Sequence, residues 1–209
     1  MIGPSSSHTA GAVRLGKIAR KILNEKPVRA NILLSGSFAR TYRGHGTDMA
    51  LVAGILGMET YDERIRNSLQ IAGGQGLEYT FGLQDIPDAH PNTARITLTG
   101  ESGRICSMQG CSIGGGNILV TEINGTNVSF SGDYNTLIIL HHDKPGTIAA
   151  VTKVAAESSL NIGNFRLSRP RRGADAVMTI EVDEDIPDSL IDKLKLVPNV
   201  INVILVHTI

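Results

Sequence analysis

The chain has 209 residues, of which 41% are apolar and 19% charged, and its 20 acidic and 20 basic side chains give a formal net charge of zero. This composition is typical of a globular protein with one or two domains. The balanced charge counts against nucleic acid and an anionic membrane as partners, since both select a basic excess. With two cysteines, no apolar run of bilayer length and no signal-peptide pattern, the sequence indicates a cytoplasmic protein.

The first elements of the chain are predicted to be an amphipathic helix and a strand. Residues 5–23 predict the helix, because Ala12, Leu15, Ala19 and Ile22 recur on one face. Its cap is expected at one of the first serines. The segments that follow are predicted as a strand over 29–35, a glycine-broken loop over 36–46, helices over 47–58 and 61–71, and short antiparallel strands over 76–132.

The second part of the chain, from residue 134, predicts a βαββαβ order. This order is that of the ferredoxin-like arrangement, in which two helices cover one face of an antiparallel sheet. Its first helix is expected to bury one face made of Ile148, Val151, Val154 and Ala155. We therefore predict two domains, 1–133 and 134–209, with an overall α+β class.

The stretch GPSSSHTAG at residues 3–11 places four hydroxyls and one imidazole at the start of the first helix. A helix N-terminus carries unpaired N–H groups and a partial positive charge, so Ser5, Ser6, Ser7 and Thr9 could hold a carboxylate or phosphate there. His8 falls on the side of the buried helix face. The alternative is that one serine only caps the helix.

The stretch RGHGTDMA at residues 43–50 repeats this pattern before the second helix, with Thr47 or Asp48 as the expected cap. Glycines on both sides of His45 would let the backbone bend and leave the imidazole open for proton transfer. The alternative is an ordinary loop histidine. The sequence does not show whether the two helix starts face each other.

Three further features are interpreted as structural. The stretch GCSIGGGNI at residues 110–118 could form a nest of N–H groups, but a glycine turn or bulge in a bent sheet is favoured. Cys106 and Cys111 fit no cluster or zinc spacing and are expected to be buried thiols, so no metal ligand is assigned to this chain. The basic turn at residues 166–172 is interpreted as a solvated hairpin end, with contact to an acidic partner as the alternative.

Together these motifs resemble a known family. IGPSSSHTAG followed by GHGTD resembles the β subunit of the two-subunit iron–sulfur L-serine dehydratases. GCSIGGGNI followed by EING is similar to the allosteric substrate-binding (ASB) domain of that family, and HHDKPGTIAAV with LNIGNFRLSR resembles an ACT domain. The resemblance implies an ASB-type α/β domain with a mostly antiparallel sheet, followed by a ferredoxin-like ACT regulatory domain.

The resemblance also implies an activity and a partner. The family converts L-serine to pyruvate and ammonia, with a [4Fe-4S] cluster that is ligated by the cysteine-bearing α subunit and not by this chain. The expected enzyme is thus an L-serine ammonia-lyase that is active only when both subunits are present. The alternative is a stand-alone amino-acid-sensing module of a serine-pathway dehydrogenase, which would not need two histidines at helix starts.

The resemblance implies roles for individual residues. We expect His45 to take the Cα proton of serine and His8 to position the substrate or relay a proton. The substrate-binding set that it implies is Ser5, Ser6, Ser7, Thr9, Gly46, Thr47 and Asp48.

In the ACT-like part, the resemblance implies an amino-acid effector site. Asp143 would bind the α-amino group, Gly146 would offer its backbone, and Asn161 of a neighbouring copy would close the site. ACT units commonly pair side by side, so a homodimer through this domain is expected, with L-serine as the simplest ligand.

Overall fold

The computed structural model describes residues 6–208. The chain is a mixed α/β protein with two sheets and forms two compact units, Met1–Asn124 and Gly125–Ile209. The domain boundary after residue 133 remains a prediction. None of the helices between residues 6 and 208 is long and apolar enough to cross a bilayer.

The first unit combines four α-helices with a twisted sheet that one long helix covers. That helix, α1, buries the predicted apolar stripe and packs on strands β3, β4 and β5. The helices are α1 (Ala10–Leu23), α2 (Gly36–His45), α3 (Thr47–Ile55) and α4 (Ser68–Gly74), with a 3-10 helix at Glu63–Asn67. The strands are β1 (Pro27–Leu34), β2 (Glu78–Leu83), β3 (Thr93–Gly100), β4 (Ile105–Gly114) and β5 (Asn117–Ile123).

The strands of the first unit lie in the order β2-β1-β3-β4-β5. The neighbouring pairs β1–β3, β3–β4 and β4–β5 are antiparallel, whereas β2 runs parallel to β1. The helices between β1 and β2 make the long crossover that a parallel pair needs. The prediction of antiparallel hairpins is therefore wrong for β2, although the sheet is mostly antiparallel.

Helices α1 and α3 cross at two glycines. A Cβ on Gly16 would overlap the carbonyl oxygen of Leu51, and a Cβ on Gly54 would overlap that of Val13. Because neither glycine carries a side chain, the two backbones come into direct contact there. Close to the end of both helices, Arg20 Nη1 donates to the Ile55 carbonyl at 2.8 Å.

Three predictions about the local structure of the first unit are wrong. The segment 36–46 is not a loop but helix α2, which ends where Gly46 adopts a left-handed conformation with φ of 71°. Helix α1 begins at Ala10 with Thr9 at the N-cap position, later than the serines predicted. Gly46, and neither Thr47 nor Asp48, is the N-cap residue of α3. The left-handed conformation of Gly46, which a glycine adopts most easily, marks both the end of α2 and the start of α3.

The glycine-rich stretch after β4 is a tight hairpin turn. Gly114, Gly115 and Gly116 have φ values of 105°, 63° and 88°. Two consecutive residues with positive φ suit the two-residue turns that match the twist of paired strands. The pairing register also shifts between Ser112 and Gly114, as at a bulge. The predicted turn and bulge are therefore confirmed.

The second unit has the predicted βαββαβ order, preceded by strand β6 (Thr126–Phe130). Its antiparallel sheet has the strand order β10-β7-β9-β8, and its core lies between the sheet and two helices. Strand β6 contacts β8 and β9. The elements are β7 (Asn135–His142), α5 (Thr147–Glu157), β8 (Ile162–Ser168), β9 (Asp175–Val182), α6 (Asp188–Lys195) and β10 (Val200–Val206).

The apolar face predicted for α5 is only partly buried. Val151 and Ala155 are fully buried and Val154 packs against the core, as predicted. Ile148, in contrast, is 40% exposed. It sits in the first turn of the helix, beyond the edge of the core, where it lines a surface cavity described below.

Candidate functional site

The hydroxyl-rich stretch lies at the entrance to α1. Ser6 and Ser7 are half-buried, whereas His8 and Thr9 are buried, with 8% and 3% of their surface exposed. Ser5 lies outside the described residues. Thr9 occupies the N-cap position, but its hydroxyl makes no cap hydrogen bond and has no partner within residues 6–208. A buried hydroxyl without a partner costs free energy that a bound polar ligand would recover.

His8 sits against helix α2 and the histidine at its end. Its ring lies edge-on to His45, with 4.7 Å between centroids and 87° between planes, and it also contacts the ring of Phe38. Its Nε2 is 3.2 Å from Thr41 Oγ1 and 3.5 Å from Ser37 Oγ. The structure therefore brings together the two histidines that the sequence left apart.

The Thr41 hydroxyl contacts both His8 and a backbone carbonyl. The Thr41 hydroxyl donates to the Ser37 carbonyl at 2.8 Å, so its oxygen is left to accept from His8 Nε2. A neutral His8 ring with its proton on Nε2 fits this arrangement. Burial, and secondarily the charge of His45, lowers the pKa of His8 below its ordinary value, which favours this neutral form.

His45 is the last residue of α2, and the expectation that it lies in a glycine-flanked loop is wrong. Gly44 is helical, and only Gly46 has a positive φ. The imidazole is half-buried, and its Nδ1 is buried without a hydrogen-bond partner in the described part of the chain. The ring is therefore fixed by helix geometry and by its contact with His8, and not by a mobile loop.

The start of α3 adds a second buried hydroxyl. Thr47 is fully buried, and its Oγ1 has no partner among residues 6–208. Asp48 is half-buried, and its Oδ1 accepts from the N–H of Met49 at 2.9 Å. Both residues follow Gly46, so the predicted set from 46 to 48 lies directly after His45 in the structure.

The glycine hairpin also reaches the start of α1, which the sequence did not reveal. A Cβ on Gly11 would overlap Ser112 Oγ, and Arg14 Nη1 donates to the Gly116 carbonyl at 3.2 Å. Ser112 is fully buried, and its hydroxyl is a third one without a partner in the described residues. We use the name helix-start site for residues 6–9, residues 45–48 and Ser112.

Sequence reasoning missed three residues of this region. The sequence pattern predicts a loop for Ser37 and Thr41, although their spacing of four residues is that of one helix face. Ser112 was interpreted as part of a structural turn. No signal in the sequence places it next to Gly11, because that contact joins elements about a hundred residues apart in the chain.

The two cysteines do not fit a cluster site in this chain. Cys106 and Cys111 are each 4% exposed, and burial raises the pKa of the Cys106 thiol to about 11 and that of Cys111 above its ordinary value. A thiol ligates iron as the thiolate, which such an environment disfavours. Within residues 6–208, no three His, Cys, Asp or Glu side chains come together as a metal site would require.

In the second unit, Asp143 and Gly146, two of the three residues predicted for an effector site, line a surface cavity of about 480 Å³. Gly146 is the left-handed N-cap of α5. We use the name turn cavity for this space, which is lined by Asp143, Lys144, Pro145, Gly146, Ile148, Arg169, Arg172 and Gly173.

The basic turn after β8 lines this cavity. Asp143 pairs with the Arg169 guanidinium and accepts from the Gly173 N–H at 2.9 Å. The Gly173 hydrogen bond, followed by that of Arg169, lowers the pKa of Asp143. A ligand amine would therefore compete with Arg169 for this carboxylate. Asn161 is exposed and does not line the cavity of its own chain.

The fold and the helix-start site define a two-unit α/β protein in which a buried and a half-buried imidazole are in contact at the start of one helix and the end of another. The family model of the serine dehydratase beta chain matches residues 1–72. A Bacillus subtilis protein described as a probable L-serine dehydratase beta chain is 47% identical over 97% of this chain and 92% of its own length. The L-serine dehydratase beta chain of Peptoniphilus asaccharolyticus is 37% identical over 91% of this chain and 86% of its own length. The chain belongs to the family of L-serine dehydratase beta chains.

Two weaker similarities accompany these. A D-3-phosphoglycerate dehydrogenase of Methanocaldococcus jannaschii is 26% identical over 94% of this chain, but over only 37% of its own length. The ACT domain of a Chlorobium tepidum GTP pyrophosphokinase covers 34% of this chain and 94% of that structure at 23% identity, with a TM-score of 0.30, too low to assign a fold. The alternative of a dehydrogenase module is thus less supported than the beta chain.

Proposed function

We propose that this chain supplies one half of the active site of L-serine dehydratase, with a catalytic α chain supplying the other. The observation that carries this proposal is the helix-start site, where two imidazoles touch and three hydroxyls are buried without partners in the described residues. Such groups are costly in a protein that leaves them unused. They are explained by a small polar substrate that completes their hydrogen bonds.

In this proposal, the start of α1 binds the carboxylate of L-serine. The first N–H groups of a helix carry a partial positive charge that suits an anion, and the hydroxyls of Ser6, Ser7 and Thr9 add donors of adjustable direction. The hydroxyls of Thr47 and Ser112 offer further donors for the same small molecule. Gly46 and Asp48 keep their proposed place in this set because they flank Thr47.

His45 would act as the base that takes the Cα proton, and His8 would support it. His8 is the more buried ring, and its lowered pKa keeps it neutral near pH 7. When His45 accepts a proton, its positive charge then lies beside a neutral His8 ring. A protonated His8 would repel that charge and disfavour the transfer. The edge-on contact between the rings would also hold His45 in one orientation.

The iron–sulfur cluster of the enzyme, in this proposal, belongs to the α chain. Neither buried cysteine of this chain fits a cluster ligand, since burial disfavours both thiolates. The chemistry at Cβ of serine is therefore assigned to the partner. The residues of this chain bind the substrate, orient it and accept its Cα proton, and the enzyme would be active only when both chains are present.

The two units would then divide catalysis from regulation. We propose an ASB-type domain over residues 1–133 and an ACT domain over residues 134–209 that binds an amino acid in the turn cavity. The βαββαβ topology and the αL turn at Gly146 support this assignment. Asn161 of a second copy would close the cavity in an ACT homodimer, and a cytoplasmic location suits such a metabolic enzyme.

Anaerobic reconstitution tests the shared active site. The two chains are expressed separately, loaded with iron and sulfide, and assayed for pyruvate from L-serine alone and after mixing. We expect pyruvate from the mixture and none from either chain alone. Full activity of the α chain by itself would overturn the proposal. For histidine variants of this chain in the same assay, His207→Ala is the control. It changes an exposed histidine in the second unit and should leave turnover unchanged.

A further inference from the structure

The second unit contains another cavity, on the face of its sheet that carries no helix. Along β9, Met178, Ile180 and Val182 point into the helix-covered core, so Glu181 lies on the opposite face. A cavity of about 330 Å³ opens beside it. We use the name carboxylate cavity for this space, which is lined by Tyr134, Gly163, Asn164, Glu181 and Asp183.

Glu181 is a buried carboxylate that lacks half of its partners. The residue is 7% exposed, and its Oε2 accepts from Asn164 Nδ2 at 2.6 Å. Its Oε1 is buried and has no hydrogen-bond partner among residues 6–208. An ionised carboxylate accepts several hydrogen bonds, and leaving one oxygen buried without a donor is costly. A hydrogen-bond donor on a bound molecule would therefore satisfy this oxygen.

A β-bulge creates the space for such a donor. Asn164 pairs directly with Glu181 across β8 and β9, and the register shifts between Ile162 and Asn164, so Gly163 is the extra residue. Bulges of this kind recur next to binding sites, where they re-aim side chains. Because Gly163 has no side chain, the bulge leaves the region beside Glu181 open.

The lining of the cavity selects a cation that donates hydrogen bonds. Glu181 and Asp183 bring two carboxylates, and Tyr134 and Asn164 bring further oxygens, whereas no Lys or Arg among residues 6–208 lines the space. A zwitterionic amino acid would place its own carboxylate against two like charges. The volume exceeds that of a bare ion and falls at the lower end of small-molecule sites.

We propose that the carboxylate cavity is a binding site for a primary ammonium cation, either ammonium itself or a small organic amine. The ammonium would donate to Glu181 Oε1 and to the Asp183 carboxylate. This site is separate from the turn cavity and from the helix-start site, and it does not depend on the function proposed for either.

Titration of the full-length chain tests the proposal. Ethanolamine, ammonium chloride, potassium chloride and L-serine are added at constant ionic strength, and binding is followed by NMR through the backbone amides of residues 163, 164, 181 and 183. We expect saturable shifts with ethanolamine or ammonium and none with potassium or L-serine. Saturation by ethanolamine only would identify an organic amine as the ligand, and saturation by both would identify the ammonium group itself.

Two variants make the result decisive. Glu181→Gln removes the charge at similar volume and should weaken amine binding by about tenfold or more, since a charge-assisted hydrogen bond is lost. Asp183→Asn changes an exposed residue and should leave the fold intact. It should weaken amine binding less than Glu181→Gln does. Asp185→Asn, which does not line the cavity, is the control. Equal amine affinity in the wild type and Glu181→Gln, an equal response to potassium, or no saturable shift would overturn the proposal.

Discussion

The helix-start site and the turn cavity differ in the burial and the pairing of their polar groups. In the helix-start site, the hydroxyls of Thr9, Thr47 and Ser112 are buried and have no partners in the described chain. In the turn cavity, Arg169 is exposed and Asp143 is half-buried, and the two side chains form an ion pair with each other. Burial makes an unpaired group costly, whereas solvent screens an exposed pair.

This difference separates a site that is organised before its ligand arrives from one that must rearrange. The first has its geometry set by helix crossing and by glycines that permit close contact. The second must exchange one ion pair for another when a ligand amine binds. We therefore expect substitutions in the helix-start site to have large effects that are specific to catalysis, and substitutions in the turn cavity to have small effects.

The strongest test of the comparison is His45→Ala. If His45 is the base, turnover of the reconstituted enzyme should fall by about a hundredfold to ten-thousandfold, the usual contribution of general base catalysis. Pyruvate formation under saturating L-serine measures it, with His207→Ala as control. Unchanged turnover of the folded variant would remove His45 from catalysis and leave His8 as the candidate.

The second test asks whether the backbones of α1 and α3 are in direct contact where the two helices cross. Gly54→Ala would force a methyl group against the Val13 carbonyl, and overpacking of this kind costs about 1–3 kcal/mol of unfolding free energy. Urea unfolding measures the loss. Gly73→Ala in α4 is the matched control, because outside its own helix no atom of residues 6–208 lies within 4 Å of the added Cβ, and it should be neutral or stabilising. Equal stability of the two variants would refute direct backbone contact at the crossing.

The third test concerns the cost of an unpartnered hydroxyl. Thr47→Val keeps the shape of the side chain and removes its buried hydroxyl, so the free chain should gain up to about 1–3 kcal/mol of stability. The reconstituted enzyme should at the same time lose kcat/KM for L-serine.

Thr152→Val is the control for this pair of measurements. Its hydroxyl already donates to the Ile148 carbonyl at 3.0 Å, so its removal should bring no gain in stability. A Thr47→Val chain that is less stable than the wild type would show that the hydroxyl has a partner within the protein.

The fourth test uses pH. The pKa of His8 is lowered on folding from 6.5, so below that pH the unfolded chain binds more protons than the folded one. The free energy of unfolding is therefore unaffected by His8 well above pH 6.5, and it falls as the pH drops below that value. Urea unfolding between pH 7.5 and 5 measures how the free energy of unfolding changes with pH. The decline is expected to begin at about pH 6.5. His8→Gln should flatten this part of the profile, and an unchanged slope would contradict the lowered pKa.

The smallest effect is expected in the turn cavity. Arg169→Ala should leave the melting temperature almost unchanged, because the Arg169 side chain is exposed and solvent screens its ion pair with Asp143. The pKa of Asp143, followed by NMR, should rise only in part, since the hydrogen bond from Gly173 N–H is the larger cause of its lowering. Arg171→Ala, which does not line the cavity, should leave that pKa where it is. A full return to the ordinary value would show that Arg169 alone holds the carboxylate.

The sequence by itself predicted the features that depend on local pattern. The apolar stripe of α1, the βαββαβ order of the second unit and the turn at Gly114–Gly116 all follow from the spacing of apolar residues and from positions that only glycine fills easily. The motifs around His8 and His45 identified the family through residue types in a fixed order, which needs no three-dimensional information.

Tertiary structure alone decided where these motifs meet. The glycines and few apolar residues of segment 36–46 give a weak helical pattern and so predict a loop, yet the segment forms helix α2, whose buried Phe38 packs against His8. The contact of His8 with His45, the approach of Ser112 to Gly11 and the bulge beside Glu181 each join segments that lie apart in the chain. Periodicity reports only which face of an element is buried, so the partner of that face is fixed by the packing of the whole unit.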